Sequence, residues 1–148
     1  VLRIVLRRIE KANRQLVKNG RKISKKSPAI ALHELRKEGK RLRYLLECFA
    51  PLFDEKALAT ILRPLRDVQD VLGEFQDTEV QANALLGLAG ELASADDDSA
   101  LMAIGGVIEQ LGVRGADARA SFAKTFGSFD DRKVQRAFDQ LEPRKKKR

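Results

Sequence analysis

Apolar residues return every three or four positions along most of the chain, and that spacing predicts helices rather than strands. Leu2, Val5, Leu6, Ile9, Ala12 and Leu16 give one face of a first helix over 2–22. The pattern stops near Ser24–Ser27, where Ser27-Pro28 reads as an N-cap followed by proline at the first helical position. A second helix follows from about Ala29 to Phe49, burying Leu35, Leu42, Leu46 and Phe49. Pro51 and Asp54 mark the next break, with Asp54 as cap for a long third helix over about 55–92. Pro64 predicts a kink or break near Arg63, because it removes one internal hydrogen bond. The acidic stretch Ser94–Ser99 is expected to cap a fourth helix reaching about Phe126, with bends or breaks at Gly105, Gly106, Gly112 and Gly115. Gly127-Ser128 predicts a turn into a short last helix, about 130–141. Long helices with short connections imply an all-α antiparallel bundle of four to five helices.

Composition supports this architecture and narrows the core. Hydrophobic residues make up 43% of 148, without tryptophan, so Leu, Ile, Val and Ala must fill the interior around seven Phe anchors. The length suits one domain, over 1–141, with Glu142-Pro143 ending the last helix and RKKKR as a basic disordered tail. Cys48 is the only cysteine, which rules out an intrachain disulfide and a multi-cysteine metal site. A reducing cytoplasm fits that usage, and no signal peptide or membrane span is visible. The chain starts with Val, so a preceding partner segment is expected.

Charge changes the picture most. Residues 1–50 hold 15 Lys/Arg against 4 Asp/Glu, while residues 51–130 hold 6 against 14. The first helix carries Arg3, Arg7, Lys11, Arg14, Lys18, Arg21 and Lys25 in one stripe, with no acid among those seven positions. The second helix gathers His33, Arg36, Lys37, Lys40, Arg43 and Tyr44 on one side, with Arg41 at its margin. Consecutive antiparallel helices are expected to bring the two stripes near one another. Solvated helix faces usually mix signs, since like charges one turn apart repel by about 0.2–0.5 kcal/mol per pair. An unbalanced stripe therefore points to a polyanionic ligand. Nucleic acid is the competing reading, but Tyr44 is the only aromatic on the basic faces, and no helix-turn-helix or zinc-finger pattern appears.

LHELRKEGKRLRYLLECF, residues 32–49, resembles the defining helix of the CHAD family, the conserved histidine α-helical domain. LRPLRDVQDVLGEFQDTEVQ (62–81), AIGGVIE (103–109) and ARASFAKTFGSF (118–129) are similar to later parts of that family. The resemblance implies a helical, non-enzymatic module that binds inorganic polyphosphate, cytoplasmic and placed on polyphosphate granules in some settings. It assigns ligand contacts to His33, Arg36, Lys37, Lys40, Arg41, Arg43 and Tyr44, with Arg7, Arg14 and Lys18 less directly matched. Family members have two similar halves around a basic channel, and this chain carries one His-basic motif, like the second half. A homodimer, or pairing with a first half, would rebuild the cavity. The Glu-x-Glu-x-Lys motif of the triphosphate-cleaving CYTH domain, a frequent companion, is absent from the sequence. An accessory role beside a hydrolase is the weaker alternative.

Two residue groups are candidates for catalysis. Asp70 and Asp77 share a face of the third helix with Arg63, Arg66 and Gly73, two turns apart and without a third ligand on that face. They are expected to orient Arg or Lys side chains beside the basic groove rather than hold a metal, with Gly73 allowing close helix approach. His33 is read as one hydrogen-bond donor to an anionic oxygen, and no cofactor is implied.

Overall fold

The computed structural model describes residues 1–141. Among them are five α-helices and no strands: α1 (Leu2–Arg21), α2 (Ala29–Cys48), α3 (Glu55–Ser94), α4 (Asp98–Phe129) and α5 (Arg132–Asp139). A single 3-10 turn, Ala50–Leu52, links α2 to α3. The RKKKR segment lies outside the described residues.

Local chemistry sets most helix ends. Asp54 accepts a hydrogen bond from the Ala57 backbone N–H at 2.9 Å, as its capping position predicts. Asp97 does the same for Ala100 at 3.1 Å, and Asp131 caps α5 through Lys133. Asp96, in the tight α3–α4 turn, takes φ 55°, a left-handed conformation that Asp tolerates better than most residues. The α2 start departs from expectation by one position. Pro28 itself is the N-cap, and the Ser27 hydroxyl accepts from the Ser24 backbone N–H instead of capping the helix.

Neither α3 nor α4 breaks where a break was one of the expectations. The 40-residue α3 runs unbroken through Pro64. An interior proline costs about 3 kcal/mol. Ile61, Leu62, Leu65 and Val68, all buried around it, tie both sides of the helix to the core and offset that loss. Likewise α4 continues past its glycines and past Gly127-Ser128, turning only at Asp130. Phe122, Phe126 and Phe129 explain this extension. They are buried at successive turns, so the packing that they make keeps the last turn helical.

The core sits where α1, α2 and the first half of α3 meet the last third of α4 and α5. Phe53, Leu16, Leu42, Leu46, Ile61 and Phe129 are among its fully buried members. Two glycines allow close approach there. A Cβ at Gly20 would fall inside the Phe126 ring, and one at Gly115 would stand 2.8 Å from the Thr78 hydroxyl. Gly73 is not such a contact: the only neighbour within 4 Å of an added Cβ is the Arg36 Nε, at 3.9 Å. The close helix packing expected at Gly73 is found at Gly20 and Gly115 instead.

Arg119 on α4 fastens the α1–α2 loop. Its Nη2 donates to the carbonyls of Ser24 and Ser27, and its guanidinium lies 5.9 Å from the Phe75 ring centre. This clip fixes where α2 begins, and hence how far along α3 its basic side extends.

Candidate polyanion-binding groove

The register of α2 against α3 follows from contacts at both ends. Near the α2 start, His33 Nδ1 donates to Gln76 Oε1 at 2.9 Å. Near its end, Arg66 on α3 donates to Glu47 at 3.2 Å. The helices are thus antiparallel, with Gly39 between them. An added Cβ at Gly39 would stand 3.6 Å from the Gln69 side chain, in ordinary contact.

This register opens a groove of about 340 Å³ between the two helices. Arg36, Lys40 and Arg43 line it from α2, and Gln69, Asp70, Gly73, Glu74 and Asp77 from α3. The three cations recur at intervals of four and three residues, so successive turns present them on one side. All three are half-buried, which limits the conformations that they must give up to bind. Arg43 lies 5.3 Å from the ring centre of Tyr44, which is half exposed. Its Nε has no hydrogen-bond partner among the described residues, since Glu47 Oε1 stands at 3.6 Å. The Gln69 Oε1 is likewise unpartnered.

The α3 carboxylates give the groove a mixed character. Glu74 is held by Arg114 of α4, through contacts of 2.9 and 2.5 Å. Asp70 and Asp77 are exposed and make no ion pair within 4.0 Å among the described residues. They share the hollow with the cations without gripping them. The described residues contain no cluster of three or more His, Cys, Asp or Glu side chains that could hold a metal ion.

The other expected contacts fall outside this groove. Lys37 points to solvent and pairs with Glu34 at 3.3 Å, and Arg41 is exposed on the outer side of α2. His33 is not among the residues that line the groove; its Nδ1 stands 2.9 Å from Gln76 Oε1, which leaves the second ring nitrogen outside that contact.

Arg7, Arg14 and Lys18 stand elsewhere. Together with Lys11 they line a separate and larger hollow, about 1040 Å³, on the outer side of α1, completed by Gln135 of α5. The two basic stripes are therefore not neighbours, contrary to the expectation from helix order. The reason is that α1 and α3 occupy opposite flanks of α2. Glu38 on one flank accepts from Asn19 of α1 at 2.7 Å, whereas Arg36, Lys40 and Arg43 are on the flank turned to α3. Within the α1 stripe, Arg14 pairs with Glu10 at 3.2 Å. Arg21 is engaged by Asp130 at 2.7 and 2.9 Å, a hydrogen bond and charge attraction that raise its pKa above the ordinary arginine value.

Gln69, Gln76 and Glu74 were not singled out by the sequence. Gln69 and Gln76 are seven residues apart, two turns of one helix, and Gln69 is a polar side chain at a position surrounded by core residues. That combination was the available signal.

No helix among the described residues is long and apolar enough to cross a membrane. A search of curated proteins returns no match. The CHAD domain model matches residues 1–86, covering α1, α2 and α3 as far as Leu86, so the segments at 103–109 and 118–129 lie beyond it. The match takes in both basic stripes, the groove and the His33–Gln76 contact. This chain belongs to the CHAD family, a family associated with polyphosphate binding.

Proposed function

We propose that this chain is a non-enzymatic module that binds inorganic polyphosphate through the α2–α3 groove, with Arg36, Lys40 and Arg43 as the principal contacts. The observation that carries this reading is the convergence of those three half-buried cations in one hollow, on the helix that carries the family's His-basic motif. Phosphate oxygens would accept from the two guanidinium groups, which present N–H pairs in a fixed fork, and from the Lys40 ammonium. Arg43 Nε and the Gln69 side chain add hydrogen-bonding capacity within the same space. His33 adds a ring nitrogen on the same side of α2, and Tyr44 supports Arg43. Asp70 and Asp77 oppose an anion from the α3 wall of the groove and so favour ligands whose charge density is high enough to outweigh them. The α1 stripe, with Arg7, Arg14 and Lys18, acts as a separate attracting surface.

Binding of this kind must weaken steeply with salt, because each neutralised charge releases a counterion. The direct experiment is titration of the full chain with polyphosphate over a range of salt concentrations, alongside competition with single-stranded RNA and duplex DNA. Displacement of nucleic acid by polyphosphate at much lower phosphate concentration than the reverse supports the assignment. The opposite order would favour the nucleic-acid reading, for which the exposed Tyr44 beside Arg43 is the one specific feature.

A further inference from the structure

The α2–α3 groove has walls of opposite charge that do not pair across it. Arg36 and Lys40 of α2 and Asp70 and Asp77 of α3 line one hollow. None of the four makes an ion pair within 4.0 Å among the described residues. Carboxylates that served only to orient the cations would grip them. The cation row runs from Arg36 to Arg43 and the acidic row from Asp70 to Asp77, each roughly 10 Å along its helix. Because the helices are antiparallel neighbours, the two rows lie side by side. Gly73 stands between the two aspartates, and α3 contributes no side chain at that point. The nearest atom to an added Cβ there is the Arg36 Nε, at 3.9 Å.

Phosphate by itself answers only one of these walls. Its oxygens carry negative charge and accept hydrogen bonds, which suits Arg36, Lys40 and Arg43 and offers nothing to Asp70 and Asp77. A further acceptor stands on the acidic side. Gln69 is only 7% exposed and lines the same hollow, and its Oε1 has no hydrogen-bond partner. A buried acceptor left without a donor costs stability, so the hollow is short of positive charge or O–H groups on its α3 side. A hydrated divalent cation supplies both. Mg²⁺ takes oxygen ligands, keeps several of its waters, and is bound through one or two carboxylates together with phosphate oxygens. Such binding does not need the three-residue cluster that the described residues lack.

We propose that the groove takes polyphosphate as its complex with a divalent cation of the Mg²⁺ kind, with one side of the chain on each wall. Phosphate oxygens meet Arg36, Lys40 and Arg43, and hydrated metal ions on the opposite side of the chain meet Asp70 and Asp77. This rests on the polyphosphate reading of the site and gives its acidic wall a binding role. Two turns of helix separate the aspartates, too far for one ion, so each carboxylate receives its own. Gln69 Oε1 accepts from a metal-bound water. Without metal the same carboxylates only repel the chain.

The test is isothermal titration of the full chain with polyphosphate in EDTA and in millimolar Mg²⁺, at matched ionic strength. A surface built from Lys and Arg alone loses affinity when Mg²⁺ competes for the phosphates. Here Mg²⁺ is expected to tighten binding by about fivefold, a coupling between metal and polyphosphate. Asp70→Asn with Asp77→Asn changes two exposed, unpaired side chains and should keep the helical circular dichroism. That variant should bind more tightly than the unchanged chain in EDTA and lose the gain from Mg²⁺. Binding in EDTA that Mg²⁺ weakens equally in both proteins overturns the metal complex and leaves the polyphosphate reading standing. No binding in either condition overturns both. Mn²⁺ gives an independent readout through paramagnetic broadening of amide signals. Broadening at Gly73 and Glu74 is expected only when Mn²⁺ and polyphosphate are both present. Its absence from that mixture, or equal broadening in the Asn variant, overturns the role of the carboxylates.

Discussion

The two cation arrays differ in almost every respect that matters for binding. On α1, Arg7, Lys11, Arg14 and Lys18 are exposed and stand along one open side of a helix, with Glu10 as the only acid lining their hollow. On α2, Arg36, Lys40 and Arg43 are half-buried against α3, in a smaller hollow whose other wall carries Asp70, Glu74 and Asp77. The first array has the larger uncompensated charge. The second has the better-fixed geometry. Exposed charges are screened by salt within about 8 Å at physiological ionic strength, so the α1 surface should attract polyanions broadly and hold them loosely. Charges held in a groove lose less conformational freedom on binding, and there the ligand can be selected.

The sharpest way to break this contrast is to remove each array in turn. Arg36→Ala with Lys40→Ala and Arg43→Ala should weaken polyphosphate binding by about 10²-fold at low salt, as expected for losing several charge-assisted hydrogen bonds. Isothermal titration checks this, and an unchanged affinity would reassign the site. Arg7→Ala with Arg14→Ala and Lys18→Ala should cost about tenfold, mostly as a shallower dependence of log affinity on log salt. If this second triple proves more damaging than the first, the ranking of the two surfaces is reversed.

Smaller changes test the opposing wall and the histidine. Asp70→Asn with Asp77→Asn should tighten polyphosphate binding by about three- to fivefold, because each removes a negative charge facing the ligand. Weaker binding would mean that the carboxylates position the cations, as the sequence reading had it. The last effect concerns His33. His33→Ala should weaken polyphosphate binding by about two- to threefold, as expected for losing one hydrogen-bonding group on the basic side of α2. An unchanged affinity would exclude the histidine from the site.

Much of the architecture was legible in the chain. Apolar spacing placed five helices, and Asp54 and the acidic stretch before Asp98 announced two of the caps. Errors arose where tertiary packing overrode a local preference. Pro64 and the α4 glycines disfavour helix, yet neither helix breaks: core residues flank Pro64, and Phe122, Phe126 and Phe129 hold the end of α4. Gly20 and Gly115 carry the close contacts, whereas Gly73, the glycine inside the family-like motif, does not. Nothing local distinguishes these glycines, because the neighbour that needs the space is far away in sequence.

The sequence by itself determined the helical class and the face of each helix that carries charge. Those are properties of periodicity and composition, written within about two helical turns of any residue. Only the tertiary structure decided which charged faces share a space. Two stripes on consecutive helices look like neighbours on a wheel, but α1 and α3 took opposite flanks of α2, fixed by Glu38 with Asn19 on one side and His33 with Gln76 on the other. A helical wheel gives direction around one axis and carries no information about which neighbour stands on which side. That choice is made by the packing of the whole core, and here it turned one expected basic face into a narrow groove and a separate open surface.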